Sequence, residues 1–247
     1  MEAIILCGGF ATRLEPLTLF IPKPLLPIEG KPILDHIMDS LRGLEAKRVI
    51  ISTNEKFEDQ FRYWMSNNIA RESGTPMELV VEPTTTNANK FGAIKGLDYL
   101  IKKLRVDDDV AIIAGDNYYS FDLKDAFESF GGRRAPLVLL RDVGSKEDAK
   151  RFGVVELEGQ RVVRFEEKPQ EPRTTMISTG IYMLPKDTLG KFDEYLRGGN
   201  NPDAPGYFLK WLASENPVYG FECKGEWFDI GTLDTYRSVF ESHAKKR

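Results

Sequence analysis

The chain has 247 residues, 41% of them hydrophobic and 29% charged, with a formal net charge of −4. That apolar content excludes a disordered chain and suffices for a sizeable core, and the acidic balance argues against bulk nucleic-acid binding, which needs a basic surface. No apolar run reaches the length of a signal peptide or a membrane span, so no membrane partner is expected. Cys7 and Cys223 lack metal-ligand spacing, and neither His36 nor His243 has a ligand-spaced neighbour. A thiolate or imidazole metal centre is therefore not expected, and a reducing, cytoplasmic location is.

Residues 3–6 read as a buried strand. The loop that follows, Cys7-Gly8-Gly9-Phe10-Ala11-Thr12-Arg13-Leu14, carries two glycines, a hydroxyl and an arginine. Glycines let a backbone approach a ligand and expose N–H groups to it, and arginine suits phosphate oxygens. Further on, Lys23 stands between Pro22 and Pro24. Two residues of fixed φ hold it on a stiff segment, which lowers the entropy cost of aiming its ammonium. Together these proportions suit a triphosphate. Neither the P-loop pattern nor the dinucleotide Gly-x-Gly-x-x-Gly pattern is present, so the loop is of another kind.

Pro32 is expected to open a helix at its first position, with Ile33, Leu34, Ile37, Met38 and Leu41 inward and His36 on the surface. Residues 48–52 read as a strand. Phe57, Phe61, Trp64 and Met65 have helical spacing and read as core. Residues 78–81 form a third strand, ending at Glu82-Pro83, and residues 90–104 a helix near whose start stands Gly92. A gap at Gly92 could admit a flat base, and Glu82 could accept hydrogen bonds from one; the plainer reading is a strand–loop–helix connection.

Residues 110–114 are almost fully apolar, as in a central parallel strand. Asp116 follows at once, where ligands of open parallel sheets bind. A carboxylate there could hold Mg²⁺, a hard cation that binds through one or two carboxylates plus substrate phosphates; Gly-Asp-Asn is also ordinary turn chemistry. Residues 120–130 read as a helix that Asp122 could cap.

Strand patterns then dominate: residues 137–141, 152–157, 161–166 and 176–184, with Glu158-Gly159 a hairpin turn. Lys168 precedes Pro169, which should push its backbone extended. Residues 198–206, rich in Gly, Asn and Pro, read as a mobile loop. Residues 207–213 read as a short helix, 218–223 as a strand and 232–243 as a closing helix that Thr232 or Asp234 could cap. Asp229, in Trp227-Phe228-Asp229-Ile230-Gly231, is an acid in aromatic surroundings that needs a partner; a metal is one reading, and a helix cap or salt bridge is the plainer one. The expectation is one α/β domain over 1–247, built on a mixed, mostly parallel sheet with helices on both faces. Residues 1–135 form its nucleotide-binding half and 136–247 its second-substrate half.

These elements resemble, in order and over nearly the whole chain, the sugar-1-phosphate nucleotidyltransferases. That family opens with Gly-Gly-x-Gly-Thr-Arg-Leu and then Pro-Lys-Pro; here stand Gly8-Gly9-Phe10-Ala11-Thr12-Arg13-Leu14 and Pro22-Lys23-Pro24. The likeness continues through Gly115-Asp116, Phe152-Gly153-Val154-Val155, Glu167-Lys168-Pro169, Thr179-Gly180-Ile181-Tyr182 and Trp227-Phe228-Asp229-Ile230-Gly231-Thr232. The resemblance is nearest to the glucose-1-phosphate thymidylyltransferases, with uridylyl, cytidylyl and mannose-specific guanylyl enzymes close by.

The resemblance implies a Rossmann-like nucleotidyltransferase fold and an enzyme that joins an NTP, foremost dTTP or UTP, to a sugar-1-phosphate, foremost glucose-1-phosphate. Mg²⁺ would be the cofactor, held by Asp116 and Asp229. Arg13 and Lys23 would be catalytic. Leu6, Gly8, Gly9, Thr12, Glu82 and Gly92 would bind the nucleotide. Gly153, Glu167, Lys168, Thr179 and Gly180 would bind the sugar phosphate. The length implies the catalytic domain without the added domains of some relatives, and a homo-oligomer stays open. The reading of another class is a non-catalytic regulator that binds nucleotide sugars. One departure bears on the loop. Ala11 stands where the family has glycine, and a positive φ there would cost alanine about 1 kcal/mol.

Overall fold

The structure is a computed structural model and describes residues 1–68 and 74–244. Its strands are β1 (Glu2–Leu6), β2 (Pro27–Ile28), β3 (Lys31–Pro32), β4 (Val49–Asn54), β5 (Met77–Glu82), β6 (Val110–Ala114) and β7 (Asn117–Tyr119). They continue with β8 (Leu137–Asp142), β9 (Gly153–Glu158), β10 (Arg161–Glu167), β11 (Met176–Leu184), β12 (Tyr219–Glu222) and β13 (Trp227–Asp229). The helices are α1 (Ile33–Ser40), α2 (Glu58–Asn68), α3 (Ala93–Leu104), α4 (Lys124–Arg133), α5 (Lys146–Ala149), α6 (Gly190–Arg197), α7 (Pro205–Glu215) and α8 (Leu233–Ala244).

Contacts group these elements into two compact units that interleave along the chain. The first takes residues 1–90, 113–123 and those from 225 on; the second takes 91–112 and 124–224. Asp229, near the C-terminus, thus belongs to the same unit as the N-terminal glycine loop.

In the first unit β5, β4 and β1 lie side by side, all parallel, with Ala3 opposite Val49 and Asn54 opposite Glu82. Ala3, Ile4 and Ile5 are fully buried, as are Ile50 and Ile51, as a sheet covered on both faces requires. Ile33, Leu34 and Ile37 turn the apolar stripe of α1 into that core, and Phe57, Phe61 and Trp64 do the same from α2 and the turn before it. Pro32 stands just before α1 rather than inside it, with ψ 147°, because Pro32 pairs with Pro27 in the β2–β3 hairpin. His36 is half-buried, not a surface residue. Its Nε2 lies 2.9 Å from the Ile28 carbonyl oxygen, and its ring meets Tyr118 edge-on.

The helix expected from residue 120 starts four residues later, at Lys124. Residues 117–119 are drawn into an antiparallel ribbon with β13, and buried Leu123 donates its N–H to the Ser40 carbonyl. Tertiary pairing there overrides helix propensity. The closing helix α8 is capped as expected, the Thr235 N–H donating to Thr232 Oγ1 at 3.2 Å.

In the second unit the strands run β11–β8–β12–β10–β9, and β9 also pairs with β11. The β8–β12 pair is parallel and the others are antiparallel, which makes the sheet mixed. Gly159, at φ 60°, turns the β9–β10 hairpin. The segment expected to be a mobile loop is tied down. Tyr195 Oη donates to the Asn201 carbonyl, Asn200 Nδ2 donates to that of Tyr195, and Pro205 already begins α7.

Candidate active site

The first unit gathers one cation and two carboxylates. Lys23 opens a single 3₁₀ turn, Lys23–Leu25, directly after Pro22. It is only 6% exposed. Its Nζ lies 2.9 Å from Asp116 Oδ2 and 3.9 Å from Asp229 Oδ1. Two pairings bring the acids there. The Gly115 N–H donates to the Leu6 carbonyl at 2.9 Å, which sets Asp116 at the carboxyl end of β1. Asp229 is then the register partner of Asn117, the next residue. Two glycines make room: a Cβ on Gly115 would press on Leu6 O and Cys7 Sγ, and one on Gly231 would stand 2.7 Å from Asp229 Oδ2.

Hard carboxylate oxygens of this kind suit Mg²⁺. Among the described residues no group of three or more His, Cys, Asp or Glu gathers as for a metal. The donor set therefore fits an ion held by two acids and completed by ligand phosphates, not a closed protein cage.

The glycine loop lies beside this cluster in the chain. Gly9 is exposed and a Cβ on it would meet nothing within 4 Å, so its backbone is open to a ligand. Gly8 instead backs onto Glu82, whose Oε1 would lie 2.9 Å from its Cβ. Leu6, where β1 ends, is half-buried, and Thr12 and Arg13 are exposed. Arg13 makes no ion pair among the described residues, so its guanidinium is available to an anion. Ala11 has φ 48° and ψ 42°, the left-handed conformation that a glycine would adopt freely. Its carbonyl accepts from Thr18 Oγ1 at 2.9 Å, which helps hold the strained turn. Cys7 is buried, and burial, with Asp116 and Glu82 adding to it, pushes its thiol well above the usual range. It stays protonated and is no nucleophile.

In the second unit Gly153, Phe165, Glu167 and Gly206 meet. A Cβ on Gly153 would stand 2.6 Å from the Phe165 ring and 3.2 Å from Glu167 Oε2, and one on Gly206 would collide with the same two side chains. The two glycines thus make the slot in which the Glu167 carboxylate lies. Burial raises the pKa of Glu167, and the neighbouring Lys168 ammonium opposes the rise. Gly206 was not among the expected site residues; its only signal is a glycine just inside a helix start. Thr179 is fully buried and its hydroxyl donates to the Leu139 carbonyl, so only its backbone can serve a ligand. Gly180, at φ 80°, lies where the register between β11 and β8 shifts.

Two expectations need correction. Lys168 is not extended: its φ is 47°. The residue before proline avoids the right-handed helical region. Here β10 ends and the Lys168 N–H turns back to the Phe152 carbonyl at 3.0 Å. Its side chain is exposed, with Nζ 3.8 Å from Glu167 Oε1. At Gly92 the space left by the missing side chain is not open to a base. Pro202 O would stand 2.6 Å and Asp203 Cα 2.9 Å from a Cβ. That packing, with φ 80° at the start of α3, is why the position needs glycine.

Comparison with known proteins follows the same lines. A Sulfolobus acidocaldarius protein provisionally named a mannose-1-phosphate guanyltransferase is 28% identical over 239 residues, 97% of this chain and 62% of that one. A Mycobacterium tuberculosis mannose-1-phosphate guanylyltransferase is 31% identical over 242 residues, 96% of this chain and 62% of its own. This chain spans about three fifths of the length of those curated relatives. Among solved structures, a Bacillus anthracis protein provisionally assigned as a glucose-1-phosphate thymidylyltransferase, in complex with a sucrose, superposes with a TM-score of 0.83. The two are 26% identical, and the match covers 98% of this chain and 94% of that one. The profile of the nucleotidyl transferase family matches residues 2–246. Since that match takes in the glycine loop, Lys23 and both carboxylates, the chain belongs to the nucleotidyl transferase family.

Proposed function

We propose that this protein is a sugar-1-phosphate nucleotidyltransferase. It transfers a nucleotidyl group from an NTP to a hexose-1-phosphate and releases pyrophosphate, with Mg²⁺ as cofactor. The observation that carries this reading is buried Lys23 standing against both Asp116 and Asp229 at the carboxyl end of a parallel strand. An oxygen of the sugar phosphate attacks the α-phosphorus in line and forms a new P–O bond. The bond to the bridging α–β oxygen breaks, and pyrophosphate leaves with that electron pair. The attacking phosphate is already ionised at neutral pH, so no protein nucleophile or base is needed.

Both reactants are anions, so catalysis is positioning and charge neutralisation. Asp116 and Asp229 would hold Mg²⁺, which supplies positive charge at the α-phosphate. Lys23 offsets one of the two negative charges in the free protein and is stiffly placed to reach a phosphate oxygen. Arg13 would clamp the β- and γ-phosphates with its planar fork. In the second unit Glu167, in its slot beside Gly153, would accept sugar hydroxyls, Lys168 would hold the sugar phosphate, and the Thr179-Gly180 backbone would line the ring. The names of the relatives favour glucose or mannose as the sugar.

The test is a matrix of NTPs against sugar-1-phosphates, read as pyrophosphate release. Release that needs both a hexose-1-phosphate and Mg²⁺ supports the reading. No release with any pair from folded protein favours the regulator. Within the same assay Arg13 and Lys168 should fail differently. Each loses charge-assisted hydrogen bonds of about 1.5–3 kcal/mol, or ~10–100-fold. Arg13→Ala should weaken use of the NTP, with poor rescue by lysine, whereas Lys168→Ala should chiefly raise the KM for sugar-1-phosphate. A Lys168→Ala effect on the NTP KM alone would sink the assignment of the sugar phosphate to the second unit.

A further inference from the structure

The large apolar side chains that reach the surface are gathered rather than spread. Of the eight exposed ones among the described residues, five are Leu17, Leu19, Phe20, Ile21 and Tyr63. Phe20 is 78% exposed and Tyr63 72%. The first four fall in and just after the 3₁₀ turn Leu17–Leu19. Gln60 joins that segment to α2, its Nε2 donating to the Phe20 carbonyl at 3.2 Å, and Tyr63 follows three residues later on the same helix. Single exposed apolar residues are ordinary, whereas a contiguous patch marks an interaction site.

Between the turn that carries Lys23 and α2 opens a cleft of about 560 Å³. Ile21, Pro22, Leu25 and Pro32 give it an apolar wall, and Tyr63 and Trp64 an aromatic one. Its charged groups are two carboxylates, Asp35 and Asp59, and no basic side chain lines it. The Trp64 indole fixes Asp35 by donating to its Oδ1 at 2.7 Å. Asp59, exposed in the first turn of α2, makes no ion pair among the described residues. Gln60 lines the same cleft. Its amide nitrogen is spent on Phe20, and its Oε1 is buried without a hydrogen bond among the described residues. A buried acceptor in that state is costly unless a ligand donates to it. The complement of this cleft is an apolar body that carries positive charge and several N–H donors.

We propose that this face docks a partner protein through a segment that inserts an arginine into the cleft, with apolar residues beside it. A guanidinium has five N–H donors in a planar fork, enough for a carboxylate and an amide oxygen at once, and it stacks on aromatic rings. A lysine ammonium is a strongly hydrated point charge and suits such a mixed site less. The apolar neighbours would cover Phe20, Ile21 and Tyr63. Aromatic and arginine anchors in a desolvated pocket are what carry interface energy. A two-fold contact with a second copy would set this acidic patch against itself, so charge favours a different partner. The face shares no polar group with the Asp116–Asp229 cluster, and the inference does not depend on the proposed activity.

The experiment is an NMR titration of the protein with three probes, read at the Trp64 indole N–H. They are acetyl-Phe-Arg-Leu-amide, the same peptide with citrulline for arginine, and acetylarginine amide. Citrulline keeps the shape of arginine and removes its charge. The arginine peptide should move the Trp64 signal and bind about tenfold more tightly than the citrulline peptide, the loss of one hydrogen bond between charged groups together with a cation–π contact. Asp59→Asn should cut that ratio to about threefold or less and leave the citrulline peptide unaffected. Tyr63→Ser should weaken both peptides. Both replaced side chains are exposed, so the fold should persist.

Equal affinity for the arginine and citrulline peptides, or no change at Trp64 with millimolar arginine peptide, overturns the inference. Acetylarginine amide binding as tightly as the peptide would make the cleft a small-molecule site and overturn the partner. Sedimentation of the wild type, Phe20→Ser and Tyr63→Ser tests the remaining occupant. A wild-type dimer that both substitutions dissociate would show that a second copy covers this face, and would overturn the inference too.

Discussion

Asp116→Asn and Asp229→Asn should each slow pyrophosphate release by ~10²–10³, the loss of about 3–4 kcal/mol that follows removal of one electrostatic stabiliser from an active site. The amide keeps the shape of the acid and removes its charge. Asp116 has a side chain 48% exposed and Asp229 one 29% exposed, so neither substitution opens a cavity and the fold should persist. What changes is the donor set. An asparagine oxygen is a neutral, weaker ligand for a hard cation, so the Mg²⁺ concentration for half-maximal rate should rise in both variants. Circular dichroism checks the fold and a Mg²⁺ titration of the rate checks the assignment. Near wild-type rates at low Mg²⁺ in either variant would show that the residue is no metal ligand.

Lys23→Met should be as damaging, for a reason the titration can separate. Lys23 Nζ is the cation that stands against both acids, at 2.9 and 3.9 Å. Methionine fills the volume of the lysine stem but leaves two carboxylates facing each other. Like charges so placed favour protonation of one of them. Were Lys23 only their counter-ion, excess Mg²⁺ would restore the rate, because the metal replaces the missing charge. In the proposed role, bonding to the α-phosphate, it could not be replaced that way, and kcat should stay ~10²–10³-fold low at saturating Mg²⁺. Full recovery at high Mg²⁺ would reduce Lys23 to a structural role. Lys23→Arg should rescue little, because a 6% exposed site between prolines leaves no room to re-aim a wider head.

Much of the fold follows from local pattern. The apolar runs of β1, β4, β6 and β8 are short, strongly hydrophobic and bounded by turn residues, so their place is legible without partners. The boundaries that moved did so where a distant segment intervened. The helix expected over residues 120–130 begins only at Lys124, because the ribbon of residues 117–119 with β13, over a hundred residues later, carries on to Ser120, whose N–H donates to the Glu226 carbonyl. Residues 198–206 look mobile by composition, yet Tyr195 and the neighbouring backbone hold them. Lys168 took a positive φ because its N–H is called back to Phe152.

The sequence by itself determined the chemistry on offer. A glycine loop after a buried strand, a lysine locked by two prolines and two acids beside glycine turns are properties of neighbouring residues, and local sterics and charge make them readable. Only the tertiary structure decided who faces whom. Asp116 and Asp229 meet because register in an antiparallel ribbon sets Asp229 opposite Asn117, and Gly115 anchors to Leu6. Gly206 matters because the Glu167 carboxylate occupies the place of its missing side chain, and Gly92 because the backbone at Pro202 does. Such facts depend on non-local pairing and on what burial removes from water. Neither is encoded in spacing along the chain.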